Sequence, residues 1–170
     1  HFIPVATDCV SSDWLIANCH LQEQILLNSK QPVADARKHA MMCYRTPESF
    51  SQRFQRQKQG NQPLFQVESW LNYHGDSLDK RFSLRSYLLM NQLLKTVDSG
   101  IHNNPKRVAQ ISAQIHLVAI DSDLFYPAAD TRNLQQFLTR HLTPGQVNYH
   151  EINSPHGHDA FLIENQQTAE

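Results

Sequence analysis

Leu117-Val-Ala-Ile-Asp121-Ser-Asp123-Leu-Phe-Tyr-Pro127 and Ser154-Pro-His-Gly-His158-Asp159-Ala-Phe-Leu-Ile163 are built on one pattern. In each, an apolar run of β type gives out and polar residues follow at its end. In open α/β sheets, chemistry collects outside the carboxyl ends of the strands. An Asp after one strand and a His after the next is the second half of a Ser–Asp–His triad in one of its known chain orders. The first half has no counterpart. None of Gly60, Gly75, Gly100, Gly145 and Gly157 belongs to a Gly-x-Ser-x-Gly turn. The sequence therefore predicts a general base and its orienting acid without the nucleophile.

Working outward, three short runs have strand character: 2–6, 115–120 and 147–152. The first two are nearly continuous in apolar residues, as strands covered on both faces of a parallel sheet tend to be. Between the last two, Leu134, Phe137, Leu138 and Leu142 form a helical stripe, and Thr143-Pro-Gly145 ends it. That is a strand–helix–strand crossover, the unit of parallel sheets. The expected fold class is α/β, with residues 1–7 and 111–170 in the strand-bearing part.

Residues 8–110 have few glycines and a helical pattern. Trp14, Leu15, Leu21, Ile25 and Leu26 suggest one amphipathic helix, Pro32 opens a second, and Ser83–Val97 carries a third. An insertion of this length between two strands is expected to be a helical cap, the device by which such enzymes shape and dry their sites. The polar stretch 52–62 reads as a solvated loop within it.

Composition narrows the function classes. With 170 residues and 40% hydrophobic content, the chain can bury one real core. A formal charge of −1 provides no field for nucleic acid or an anionic membrane. No apolar run reaches the ~18 residues of a membrane span, and the first residues lack a secretory-signal layout. Cys9, Cys19 and Cys43 read as reduced thiols, which sets the expectation of a cytoplasmic protein. The first strand starts without leading residues and the last helical stretch, 163–170, has no stop signal, so the chain is expected to be a piece of a longer protein.

Further stretches carry a family resemblance. Ala36-Arg37 with Tyr44-Arg45, and Phe65-Gln-Val-Glu-Ser-Trp-Leu-Asn-Tyr-His-Gly75 with Arg81-Phe82 and Ser86-Tyr-Leu88, resemble the homoserine O-acetyltransferase family. So do Ser122-Asp123-Leu-Phe-Tyr-Pro127 and Gly157-His158-Asp159-Ala-Phe-Leu162, the most specific of the four. The resemblance implies the C-terminal part of an α/β-hydrolase fold, with 8–110 as its cap. It implies an acyltransferase of methionine biosynthesis that moves an acetyl group from acetyl-CoA to L-homoserine by a ping-pong route. No cofactor is expected to be bound, acyl-CoA being a co-substrate. The expected partners are a second copy through the cap and the missing N-terminal half. Two departures, Asn28-Ser-Lys-Gln-Pro32 and Ser83-Leu-Arg-Ser86, leave a succinyl donor or a serine acceptor open.

The residues themselves support definite roles. His158 carries an imidazole, a group that can take a proton from a hydroxyl and return it. Asp123 would hold its tautomer, with Asp121 as the local competitor. By resemblance, Arg37 and Asp159 grip the acceptor, and a guanidinium with a carboxylate does suit a zwitterion. Tyr44, two helical turns beyond Arg37, could add a hydroxyl. His156, His158 and Asp159 as metal ligands are the weaker reading, since no further ligand cluster stands out. A plain esterase and a non-catalytic helical module are the rival readings.

Overall fold

The computed structural model describes residues 1–102 and 104–169. Glu170, the end of the expected helical tail, lies outside the described residues. The chain forms two compact units, residues 1–11 with 97–170 and residues 12–96. The sequence boundaries at 7 and 111 thus fall inside the first unit.

In the first unit, β1 (Ile115–Ile120) and β2 (Val147–Ile152) pair in parallel, with Ile115 opposite Val147 and Ile120 opposite Ile152. Residues 2–6 lie along the other edge of β1, so the spatial order is the one expected from the sequence. They do not form a continuous strand, however. Phe2 bridges Ile115 and Val5 bridges Val118. Pro4 stands between them, accepts from Val118 N–H at 3.0 Å, and has no N–H to return. Ala6 then turns at φ 46°, which ends the ladder.

The crossover helix is Ala128–Thr139, and it buries Leu134 and Leu138 against Val108, Ile115 and Leu117. A second cluster joins Ala6, Ile120, Ile152 and Ala160, beneath the ends of the strands. A 3₁₀ helix, Gly157–Leu162, and a short helix, Asn165–Ala169, close the chain. Residues 9–11 and 97–99, where the chain leaves the unit and returns, are tied by Ser11 N–H to Val97 O and Ser99 N–H to Cys9 O, both 2.9 Å.

The second unit has five helices: α1 (Asp13–Asn28), α2 (Pro32–Cys43), α3 (Pro47–Phe54), α4 (Gln66–Asp79) and α5 (Leu84–Lys95). In α1 the stripe differs from the expected one. Leu15, Asn18, Cys19, Gln22 and Leu26 face inward, while Trp14 and Leu21 are exposed. The inward polar groups are satisfied: Asn18 donates to Trp14 O at 2.9 Å, and the Gln22 amide lies 3.1 Å from His39 Nδ1. Asn91 of α5 donates to Cys19 O at 2.8 Å and joins α5 to α1.

Helices α3 and α4 go beyond the sequence reading. The stretch read as a loop from 52 begins inside α3, then turns through Gln55 and Arg56, both at positive φ, into a hairpin that pairs Lys58 with Phe65. Helix α4 crosses α2 at Gly75, where an added Cβ would lie 2.8 Å from Ala34 O.

Candidate active site

The turn after β1 presents Asp123. Its Oδ1 accepts from the backbone N–H of Phe125 at 2.7 Å and of Tyr126 at 2.9 Å. Its Oδ2 lies 2.8 Å from His158 Nδ1. The carboxylate is fully buried, whereas the imidazole keeps 18% of its surface. A carboxylate only accepts, so Nδ1 carries the proton and Nε2 is the basic nitrogen. The rings of Phe125, Tyr126 and Phe161 stand 5.5, 5.6 and 6.0 Å from the imidazole. Such walls lower the local dielectric and strengthen the pair.

Asp121 has another task. Its Oδ1 accepts from Ser154 N–H at 3.0 Å and anchors the turn after β2. Ser122 donates its hydroxyl to Ser154 O and accepts from Gly157 N–H at 3.0 Å. Ser154 Oγ donates to Glu164 at 2.7 Å. Gly157 takes φ 69°, a conformation cheap only for glycine, and delivers His158 into the first turn of the 3₁₀ helix. Asp159 follows in that turn, half-buried. Ser122, Ser154 and Glu164 were not singled out from the sequence, because no local pattern marks a hydroxyl that joins two loops.

Arg37 and Tyr44 belong to the second unit. Arg37 sits on α2, half-buried, and Tyr44 caps the end of that helix. The guanidinium lies over the Tyr44 ring, 5.5 Å from its centre, so the tyrosine offers its face to Arg37. Tyr87 of α5, which falls in the Ser86-Tyr-Leu88 stretch, is near enough to Arg37 and Tyr44 for both to act on its phenol. Burial pushes its phenol up, and it donates to Gln22 Oε1 at 3.4 Å.

Among the described residues, no group of three or more His, Cys, Asp or Glu side chains is arranged to hold a metal ion. Among the same residues, no helix is long and apolar enough to cross a membrane. All three cysteines are free, and burial raises each thiol.

Parallel strands joined by a crossover helix, with an acid and a histidine on successive strand ends, define part of an α/β hydrolase. A solved alpha/beta hydrolase enzyme from a Medee basin deep-sea metagenome library superposes on 98% of this chain and 53% of its own, at TM-score 0.64 and 13% identity. The structure named homoserine O-acetyltransferase from Bacillus anthracis does so over 98% and 51%, at TM-score 0.77 and 17% identity. No family model matches the chain. A curated relative from Thermus thermophilus named homoserine O-acetyltransferase is 35% identical over 171 residues, 92% of this chain and 41% of its own length. Over the part it covers, the chain belongs to the homoserine O-acetyltransferase family. It spans less than half the length of that curated relative.

Proposed function

We propose that this chain supplies the base, its orienting acid and the acceptor-binding groups of an acyltransferase that moves an acetyl group from acetyl-CoA to the hydroxyl of L-homoserine, a step of methionine biosynthesis. The observation that carries the reading is the 2.8 Å contact between the buried Asp123 and His158. The names of the relatives add the substrate class.

In the first half-reaction, His158 Nε2 takes the proton of a serine hydroxyl supplied from outside these 170 residues. That oxygen bonds to the thioester carbon, the C–S bond breaks, and the proton passes to the CoA sulfur. In the second, Nε2 takes the homoserine hydroxyl proton. The new oxygen displaces the serine, which recovers the proton. Asp123 keeps the ring oriented and stabilises the imidazolium at both stages. Arg37 holds the α-carboxylate and Asp159 the ammonium, with Tyr44 beside Arg37.

The same reading proposes a cytoplasmic enzyme that pairs with a second copy through the helical unit. Leu89, Met90 and Leu93 of α5 are more than half exposed, an apolar surface that suits such a contact.

The complete enzyme given acetyl-CoA and L-homoserine should release CoA and O-acetylhomoserine in equal amounts. Acetate in place of the ester, whatever the homoserine concentration, would make it an esterase and overturn the reading.

A further inference from the structure

We propose that Ser122 is the positioning residue that holds His158 against Asp123; this rests on the reading of that pair as base and acid. Two contacts cross between the turns with the same sequence offset. Gly157 N–H meets Ser122 Oγ, and His158 Nδ1 meets Asp123 Oδ2, each pair 35 residues apart. They are successive rungs of one ladder, so the first sets the register of the second.

A hydroxyl has one donor and two acceptor sites. Ser122 uses its donor on the carbonyl of Ser154 and an acceptor on the amide of Gly157, gripping both ends of the loop that carries the histidine. Gly157, at φ 69°, is the residue of that loop with the fewest steric limits on its backbone, and its amide is the one Ser122 holds. Asp121 holds Ser154 N–H, and Ser154 Oγ accepts from His156 N–H at 3.2 Å and donates to Glu164, contacts that act on the first half of the loop. The Ser122 proton is aimed at a backbone carbonyl and not at an imidazole, so this serine is no nucleophile.

The test is the low-field NMR resonance of the His158 Nδ1 proton in this chain, identified by its loss in Asp123→Ala. In Ser122→Ala the proton should exchange with water faster, on the order of tenfold, as expected when one holding hydrogen bond is lost. Ser122→Thr, which keeps the hydroxyl, should restore the slow exchange. If Ser122→Ala fails to fold, Ser122→Cys fills the space with a poor donor and should show the same acceleration. Unchanged exchange in the Ala or Cys variant, even with a lowered melting temperature, would make Ser122 merely structural and overturn the proposal. If the unmodified chain shows no Asp123-dependent resonance, the acid–base reading fails first and takes this inference with it.

Discussion

In the strand-bearing unit, Asp123 and the turn that carries His158 are held by directional hydrogen bonds in which backbone N–H groups donate to side-chain oxygens. In the helical unit, Arg37 rests on the face of Tyr44, a contact with no sharp angular preference. The contrast fits two kinds of work. Proton transfer needs donor and acceptor aligned to a few tenths of an ångström. Under the proposed function Arg37 would receive and release a carboxylate, work that a support tolerant of movement suits.

The largest effect tests the directional side. In the complete enzyme, Asp123→Asn should lower kcat by roughly 10⁴, the loss seen when a triad histidine has its tautomer upset. Thioester cleavage followed by thiol release measures it. A loss below tenfold would make the contact incidental and collapse the contrast. Next comes the tolerant side. Arg37→Ala should weaken homoserine use by about 2–5 kcal/mol, the range for truncating one partner of a buried charged pair. The burst of CoA release from acetyl-CoA alone should stay unchanged. Equal losses in both half-reactions would assign Arg37 to structure or to the donor.

A third experiment asks whether the units can be disturbed separately. Gly75→Ala forces a methyl group against Ala34 O and should destabilise the helical unit by about 1–3 kcal/mol. Both tryptophans, Trp14 and Trp70, lie in that unit, so its melting can be followed by their emission. Amide protection of β1 should not change in parallel.

The smallest effect is alkaline. The Cys9 thiol is pushed from 9.0 up to about 12, first by burial and then by the charge of Asp8. A raised value means that the unfolded chain gives up this proton first. The contribution is therefore complete below pH 9.0 and is lost as pH climbs towards 12. Cys9→Ser should flatten that slope in the protection of the β1 amides. The slope of tryptophan emission should remain, because burial raises Cys19 and Cys43 in the helical unit too.

The two units also differed in how far the sequence could be read. Asp123 and His158 were legible because strand ends are marked locally, by an apolar run that stops. The crossover helix was marked by Leu134 and Leu138 in the same way. Helix α4 was not, since its inward contact depends on Gly75, a poor helix former that is there to admit α2. Asn18 and Gln22 broke the expected stripe of α1 because their partners, Cys43 and His39, lie on α2, far along the chain. Ser122 was invisible for a similar reason: its partners stand 32 and 35 residues away.

Pro4 has a further consequence. In a parallel ladder, alternate residues direct both backbone groups to the same side. Phe2 and Ala6 turn theirs towards β1, and the proline's missing donor falls on that inner side too. Ile3 and Val5 therefore point outward with donor and acceptor complete, and among the described residues neither amide has a partner. The interruption weakens the seam already made and leaves the outer one whole. An added strand would find two full pairing positions there, flanking a ring that prevents the segment from coiling into a helix. Deuterium uptake at Ile3 and Val5 should thus be fast in the isolated chain and slow once anything pairs there, while Phe2 and Ala6 change little.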